Sequence, residues 1–376
     1  MSKKNIHSVT VFSPGRINLI GEHIDYNGGN VLPAAINRKL NLNFNKTHSN
    51  LCSVESLDKG KFEFDIDKPL DKSDTHWENY IYGVINEIKK TCNNKLGGFE
   101  CFISSDLPIG AGISSSAALS CGFSKGLNEL FDLGLSDLEL IKISHAAEHD
   151  FVGIKCGVMD QFAVIMGKIK KLLILNCETL NYKLIDADFK PFKIVLLNTN
   201  VSHNLASSEY NIRRQECNMA LSIIQNQYNE YKFLADVPEK IIFSLKKNFK
   251  KNIYHRALFV SRENKRTLKA AELIQRGKIE EFGNLMYHTH RELSKYYEVS
   301  CKELDFLVDF TKNISNVIGS RMMGGGFGGC TINLVQETYV NEFIELANKA
   351  YKAKFNINLS SIIVTISNGV EATKTI

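Results

Sequence analysis

The chain has 376 residues, of which 44% are hydrophobic and 23% charged, and 46 Lys and Arg against 41 Asp and Glu give a formal net charge of +5. The length predicts about two to three domains, and the composition excludes a disordered, collagen-like or coiled-coil protein. The positive charge is too small and too evenly spread to indicate a nucleic-acid-binding protein.

Strands and helices alternate in the first half of the sequence. Residues 7–12 and 17–20 fit two strands that are joined by a tight turn at Ser13, Pro14 and Gly15. Ser136 and Glu139 have the spacing of a capping box and predict the start of a helix. The remaining predicted elements are strands at 40–44, 99–104 and 172–176 and helices at 77–90, 115–131 and 136–150.

The second half begins with a strand and continues with helices. Residues 192–198 fit a strand that is paired with 172–176 or follows it, and the domain boundary is expected near 186–191, giving domains 1–187 and 188–376. A mostly helical region is predicted at 209–310, then a strand at 331–335, a helix at 339–351 and a last strand at 362–367. This alternation predicts α/β or α+β structure in both halves.

The cysteines and the hydropathy indicate a cytoplasmic protein. Nine cysteines without a C-x-x-C pair are typical of reduced thiols. The opening MSKKNIHSVTVF lacks the apolar run of a signal peptide, and we find no stretch of about 18 apolar residues. We therefore expect neither secretion nor membrane insertion.

A glycine–serine loop at 107–118, LPIGAGISSSAA, lies between a predicted strand and a predicted helix. The backbone N–H groups and the positive dipole end of such a helix suit a polyphosphate, and the hydroxyls of Ser114, Ser115 and Ser116 offer hydrogen bonds or a Mg²⁺ ligand. A simple N-cap and turn would also explain the pattern. The loop matches neither the P-loop nor the dinucleotide-binding fingerprint.

A glycine run at 324–329, GGGFGG, precedes the strand predicted at 331–335. Ordinary turns need one or two glycines, because each glycine costs conformational entropy on folding. So dense a run indicates close approach of the backbone to another group. A flexible surface loop is the alternative.

Charged residues cluster at 14–29, where two carboxylates, an imidazole and an arginine fall within ten residues. Carboxylates and imidazoles accept hydrogen bonds from sugar hydroxyls, and Arg16 suits a phosphoryl group. Solvent-exposed turn residues would be the simpler interpretation of 14–29.

Asp160 begins a predicted helix, so it is either an N-cap or a catalytic base.

The sequence H-x-x-E-H at 145–149 matches an inverted zinc-protease motif. No convincing third ligand completes it. The alternative is that Glu148 alone serves as an oxygen ligand for Mg²⁺, which prefers carboxylates and phosphates to imidazole.

Together these segments resemble the three sequence motifs of the GHMP small-molecule kinases, in family order and over nearly the whole chain. The stretch at 15–26, GRINLIGEHIDY, is similar to the galactokinase signature of that family, G-R-x-N-L-I-G-E-H-x-D-Y. The resemblance implies an α+β fold of two domains, the first with a ribosomal-protein-like mixed sheet and the second ferredoxin-like. The active site would lie in the cleft between them.

The resemblance also implies residue roles. Arg16 would stabilise the transferring phosphoryl group, and Asp160 would be the base that faces the anomeric hydroxyl. Mg²⁺ would be held by Ser116 and Glu148. The sugar would be bound by Glu22, His23, Ile24, Asp25, Gly157 and Tyr210, and the nucleotide by Ser56, Gly110, Ala111, Gly112, Ile113, Ser114, Ser115 and Ser116. Ile24 stands where Thr is common in the family, and we expect little consequence.

The implied reaction transfers the γ-phosphoryl group of ATP to α-D-galactose and gives galactose 1-phosphate and ADP. Because a neighbouring guanidinium favours the ionised carboxylate, we expect Asp160 to orient the hydroxyl and to accept its proton late. Two alternatives are a kinase of a related sugar such as N-acetylgalactosamine and a non-catalytic sensor of galactose and ATP. The intact residues 114–117 and Asp160 favour an enzyme, which we expect to be a monomer with no nucleic-acid or membrane partner.

Overall fold

The structure is a computed structural model that describes residues 8–92, 95–108, 110–202 and 206–375, without the side chains of 202 and 206–208. His7, in the predicted opening strand, and Ile109, in the glycine–serine loop, lie outside the described residues. Within the described ranges, no helix is long and apolar enough to cross a bilayer.

The described chain contains both strands and helices, which occur mostly in runs of one kind. The strands are β1 (Ser8–Asn18), β2 (Asn30–Val31), β3 (Pro33–Lys46), β4 (Leu51–Ser56), β5 (Gly60–Asp65), β6 (Phe99–Ser105), β7 (Lys171–Asn176), β8 (Tyr182–Asp186), β9 (Phe192–Ser202), β10 (Val317–Met322), β11 (Gly328–Gln336), β12 (Ser360–Val364) and β13 (Glu371–Thr375). The helices are α1 (Glu78–Cys92), α2 (Ser115–Leu130), α3 (Asp137–Ala146), α4 (Met159–Met166), α5 (Ala206–Gln225), α6 (Glu239–Ser244), α7 (Lys251–Gln275), α8 (Ile279–Glu292), α9 (Lys302–Thr311) and α10 (Val340–Phe355).

The first half is built on a mixed six-stranded sheet in the order β13-β1-β3-β6-β4-β5. Only the pairing of β4 with β6 is parallel among its neighbouring strands. Helices α1 and α2 bury one face of the sheet, with Phe44, Phe99 and Phe123 in edge-to-face contact. The last strand, β13, returns from the end of the chain to pair with β1.

The prediction of two strands at the start of the chain is wrong. A single strand, β1, runs through Pro14 and Gly15 and pairs with β3 along its length. A register shift between Pro14 and Arg16 marks a β-bulge, which accommodates the proline that lacks an N–H donor. The bulge directs Arg16 N to Ile113 O over 3.0 Å, so β1 contacts the glycine–serine loop.

The second half contains an antiparallel four-stranded sheet in the order β10-β11-β9-β12. This strand order is ferredoxin-like and confirms the predicted fold class. Consecutive residues of β9 face opposite sides, with Ile194 in the cluster that includes α8 and Val195 in the cluster that includes α9 and α10. The apolar run of β9 is therefore buried on both faces.

Both strands predicted at 172–176 and 192–198 are present, as β7 and β9. Of the two arrangements left open for them, pairing is excluded, because β7 pairs with β2 and β8 in a separate three-stranded sheet. The capping box is confirmed: Ser136 Oγ accepts from Glu139 N over 3.3 Å, and Ser136 N donates to Glu139 Oε2 over 2.8 Å. After α3 a π-helical turn at Ala147–Val152 carries Glu148.

Candidate active site

An ion pair between Arg16 and Asp160 joins β1 to the first turn of α4. Arg16 is 5% exposed, and its Nε and Nη2 donate to the two carboxylate oxygens of Asp160 over 2.6 and 2.9 Å, as a guanidinium fork favours. Arg16 Nη1 donates to Gly112 O over 2.6 Å, and the Ser114 hydroxyl donates to Asp160 Oδ2. Asp160 is not the N-cap of α4, because Val158 holds that position.

The glycine–serine loop forms one wall of a cavity of about 240 Å³. All seven loop residues from 110 to 116 line it, together with Arg16 and Gly325. The first-turn N–H groups of α2 have no intrahelical partners and carry partial positive charge. Ser114 precedes α2 but makes no capping hydrogen bond, so a simple N-cap does not explain the loop. The geometry suits a polyphosphate.

Glu148 lies beside this loop and is 6% exposed. Ser116 Oγ donates to its Oε1 over 2.9 Å, and Gln161 Nε2 donates to its Oε2 over 2.9 Å. Burial raises the pKa of Glu148 to about 7, and the charge of Asp160 acts in the same direction. Gln161 Oε1 is buried and has no hydrogen-bond partner among the described residues. The carboxylate, hydroxyl and amide oxygens are the hard donors that Mg²⁺ prefers, so these residues fit the ion.

Asp25 and Gly157 lie against each other, near Asp160. A Cβ atom at Gly157 would lie 2.3 Å from Asp25 Oδ2, so only glycine permits this approach. Burial, with a smaller contribution from the nearby charge of Asp160, raises the pKa of Asp25 to about 7. A carboxyl group is thus held next to the Arg16–Asp160 pair.

His23 is buried, and both of its ring nitrogens bond to the protein. Nε2 lies 3.1 Å from Gly325 O, which can only accept, so Nε2 carries the proton and Nδ1 accepts from Tyr26 Oη over 2.8 Å. Burial lowers the pKa of His23 to about 4. The Tyr210 ring on α5 lies 5.2 Å from the His23 ring. These rings form an aromatic wall beside the glycine run.

Glu22, 1% exposed, is paired with Arg321 of β10. Its neighbour Ile24 is fully buried in the apolar core, and Ile24 O accepts from Gly29 N over 2.8 Å. Residues 21–25 contain Glu22, His23, Ile24 and Asp25, and we call this segment the charged turn. Ile24 therefore shapes the charged turn and directs its side chain to the core.

The glycine run packs closely against residues of both halves of the chain. Gly324 N donates to Glu22 Oε1 over 2.9 Å. A Cβ atom at Gly326, whose φ is +84°, would lie 2.0 Å from Val299 O. Phe327 N donates to that same carbonyl over 2.8 Å. These contacts exclude a flexible surface loop.

A second cavity of about 280 Å³ adjoins the loop and includes Ser56. Its lining also includes the aromatic residues Trp77 and Tyr80, and it shares Ser115 and Ser116 with the first cavity. An apolar, aromatic cavity next to a phosphate-binding loop suits the flat base of a nucleotide.

The residues of the H-x-x-E-H motif do not converge. His145 Nε2 lies 3.2 Å from Cys156 O, and His149 Nδ1 lies 2.6 Å from Asp150 Oδ1. Glu148 instead contacts Ser116 and Gln161. No group of three or more His, Cys, Asp or Glu that could hold a metal occurs in the part of the chain that the structure describes.

Sequence reasoning missed four residues of the site: Arg321, Gln161, Trp77 and Tyr80. Arg321 begins the segment that contains the glycine run, and Gln161 follows Asp160. Their positions next to these motifs could have indicated that they belong to the site. For Trp77 and Tyr80, helical periodicity alone indicates a buried helix face and no cavity.

Family models match both halves of the chain. Residues 79–168 match the N-terminal domain of GHMP kinases, residues 270–353 match their C-terminal domain, and residues 2–42 match the galactose-binding signature of galactokinases. A curated galactokinase of Clostridium acetobutylicum is 40% identical over 96% of this chain and 93% of that protein. Another, from Clostridium beijerinckii, is 38% identical over 95% and 93%. The chain therefore belongs to the GHMP kinase family.

Solved structures place it further within that family. The crystal structure of Lactococcus lactis galactokinase complexed with galactose matches with a TM-score of 0.93 at 33% identity, over 97% of this chain and 95% of that one. The Methanococcus jannaschii mevalonate kinase, at 19% identity and a TM-score of 0.64, shares the fold. Within the family this chain is a galactokinase, as the signature at 15–26 predicts. These relatives do not favour a sensor or a kinase of another sugar.

Proposed function

We propose that the Arg16–Asp160 pair is where the γ-phosphoryl group of ATP is transferred to the anomeric hydroxyl of α-D-galactose. The hydroxyl oxygen bonds to the γ-phosphorus, the bond from that phosphorus to the β–γ bridging oxygen breaks, and the products are α-D-galactose 1-phosphate and ADP. One observation carries this proposal: Arg16 is bonded both to Asp160 and to Gly112 of the glycine–serine loop.

Arg16 is suited to the transferring group. Three of its nitrogens each donate one hydrogen bond to the protein, and a guanidinium has five N–H donors, so two remain for phosphoryl oxygens. Phosphoryl transfer proceeds through a loose transition state in which positioning and charge stabilisation dominate. A guanidinium with a fixed orientation supplies both.

Asp160 orients the sugar hydroxyl and takes its proton. Both of its oxygens already accept hydrogen bonds from Arg16, and Oδ2 also accepts from Ser114. These donors fix the orientation of the carboxylate. Because the transition state of phosphoryl transfer is loose, the proton moves late, after the bond to the leaving oxygen has begun to break.

The charged turn and its neighbours form the sugar pocket. Glu22 and Asp25 accept hydrogen bonds from sugar hydroxyls, and Gly157 leaves the space that Asp25 occupies. His23 and Tyr210 line the pocket with their rings, since the His23 nitrogens are bonded to Tyr26 and Gly325. Ile24 belongs to the pocket through its backbone.

ATP occupies the two adjoining cavities, with the base beside Trp77, Tyr80 and Ser56 and the phosphates at residues 110–116. Ser116 and Glu148 would hold Mg²⁺, and Gln161 Oε1 offers a further oxygen beside them. When bound, the ion neutralises charge on the β- and γ-phosphates.

We place the enzyme in the cytoplasm, where its nine free thiols stay reduced. We also propose that it acts as a monomer, because one chain supplies every group named.

A coupled assay of ADP release tests this function. Galactose, N-acetylgalactosamine, glucose and mevalonate are each supplied with ATP, with and without Mg²⁺. Turnover is expected with galactose and Mg²⁺. Absence of turnover with galactose would refute the proposal, and preference for the 2-acetamido sugar would reassign the substrate. Binding of galactose and ATP without ADP formation would indicate a sensor.

A further inference from the structure

Arg321 is a fully buried arginine of the second half that bonds to the charged turn of the first half. Its relative exposure is 0%. Nε donates to Leu19 O over 2.9 Å, and Nη2 donates to Asn18 O. Nη1 and Nη2 both donate to Glu22 Oε1 over 3.1 Å. The guanidinium thus links β10 to the backbone of Asn18 and Leu19 and to the carboxylate of Glu22 in the charged turn.

These bonds make the two oxygens of Glu22 unequal. Oε1 accepts from both terminal nitrogens of Arg321 and from Gly324 N over 2.9 Å. Oε2 accepts only from Asn18 Nδ2, over 3.0 Å, among the hydrogen bonds of the described residues. Each carboxylate oxygen has about two lone-pair sites, so Oε1 is saturated and Oε2 retains one.

We propose that Arg321 is a positioning residue for galactose recognition. It fixes the Glu22 carboxylate so that the remaining acceptor site of Oε2 is available to one sugar hydroxyl. The inference rests on the proposed role of Glu22 in sugar binding. Arg321 itself bonds Oε1 and backbone carbonyls, so it acts on the sugar only through Glu22.

Two further contacts from the second half hold the same turn. Glu263 of α7, which is 0% exposed, accepts from Gly21 N over 3.0 Å, and Gly325 O bonds His23 Nε2. With Arg321, these contacts hold Gly21, Glu22 and His23 of the charged turn from outside it. Galactose affinity therefore depends on residues that do not contact galactose.

Arginine is required at 321 because its planar fork serves several acceptors at once. A lysine keeps the charge but offers a single ammonium group, which cannot span Leu19 O, Asn18 O and Glu22 Oε1. The carboxylate then loses its fixed orientation while the overall charge balance is kept. Arg321→Lys thus separates positioning from charge.

The test measures KM for galactose and for ATP separately in Arg321→Lys, Arg256→Lys and Glu22→Gln. Arg256 is the matched control: it is 1% exposed and its Nε donates to Glu216 Oε2 over 2.7 Å, but none of its hydrogen bonds in the described chain reaches the charged turn. Arg321→Lys is expected to raise the galactose KM by about tenfold or more and to leave the ATP KM within about twofold. Arg256→Lys is expected to change neither KM by more than about twofold, even where it lowers the melting temperature.

The outcomes separate this inference from the proposed function. If Glu22→Gln raises the galactose KM and Arg321→Lys does not, Arg321 is not a positioning residue, while the sugar-binding role of Glu22 stands. If Glu22→Gln leaves the galactose KM unchanged, the proposed role of Glu22 fails, and the inference fails with it.

A double-mutant cycle covers the case in which Arg321→Lys does not fold. The pair Glu22→Gln/Arg321→Gln removes both buried charges together, which avoids leaving one of them unpaired. If Arg321 acts through Glu22, the double variant has the galactose KM of Glu22→Gln within about twofold. A galactose KM that is more than about twofold above that of Glu22→Gln would show an independent effect of Arg321 and overturn the inference.

Discussion

The sugar end and the nucleotide end of the active site are built differently. At the sugar end, two pairs of charged side chains bond to each other within the protein, Arg16 with Asp160 and Glu22 with Arg321. At the nucleotide end, a mostly apolar cavity with Trp77 in its lining adjoins a loop of backbone N–H groups and hydroxyls. The charged side chains of the sugar end are therefore oriented before any ligand binds, whereas at the nucleotide end the charge comes mainly from the phosphates of the bound nucleotide.

The largest expected effect is at the ion pair that closes the sugar end. Asp160→Asn and Arg16→Ala should each lower kcat by about 10³-fold, because each removes a group that acts on the reacting atoms, while circular dichroism shows a retained fold. Steady-state kinetics check this. The control is Asp150→Asn, a change at an exposed carboxylate, which should keep the wild-type kcat. Turnover near that of wild type in either variant would contradict the catalytic role proposed for that residue.

Crowding the sugar end should affect one substrate only. Gly157→Ala places a Cβ atom 2.3 Å from Asp25 Oδ2 and displaces that carboxylate, so the galactose KM should rise by roughly 10- to 100-fold with the ATP KM unchanged. Gly97→Ala, whose Cβ would meet only the Phe131 ring at 3.4 Å, serves as the matched control. Equal changes in the two KM values would mean that the two ends are not separate.

The pH dependence of galactose binding should follow Asp25. Burial raises its pKa from 3.8 to about 7, so the ionised acceptor forms as pH rises, and the Kd for galactose should be roughly tenfold lower at pH 8 than at pH 6. Calorimetry at the two pH values checks this, and Asp25→Asn should abolish the difference. A Kd that is the same at both pH values in the wild type would contradict the role of Asp25.

The same shift has a consequence for stability. Because the folded-state pKa of Asp25 is raised, the folded chain holds a proton that the unfolded chain releases. Its contribution to the free energy of unfolding is complete below about pH 4 and is lost as pH rises through about 7. Urea titrations of the ligand-free protein should therefore show a loss of stability over this range that is smaller in Asp25→Asn.

The smallest expected effect is at the nucleotide end. Trp77→Leu removes an aromatic face from the cavity and should raise the ATP KM by roughly three- to tenfold, with the galactose KM unchanged. Trp77→Phe keeps a ring and should lie closer to wild type. A rise in the galactose KM of Trp77→Leu would show that the two ends are coupled.

Features that depend on neighbours along the chain could be predicted from the sequence. The capping box at Ser136 and the glycine–serine loop that enters the helix at Ser115 are found where the sequence places them. Pairing between distant segments could not be predicted as well. The strand through Pro14 and Gly15 continues because a β-bulge absorbs the irregularity, and the apolar run at 192–198 carries no information on its partner strand.

The same distinction applies to the site. The family motifs predicted roles for Arg16, Asp160 and Glu148, and the structure gives the contacts of these residues. Arg321 was missed as a functional residue because its role arises from Glu22, which lies 299 positions away in the sequence. Gln161 was missed because only the fold brings its amide to Glu148.

A calorimetric titration of galactose, with and without a non-hydrolysable ATP analogue, tests most directly whether the sugar end is preformed. If it is, galactose binds the nucleotide-free protein, and the analogue changes its Kd by no more than about threefold, a coupling free energy of at most about 0.65 kcal/mol. Binding of galactose that is detectable only when the analogue is present would contradict a preformed sugar end.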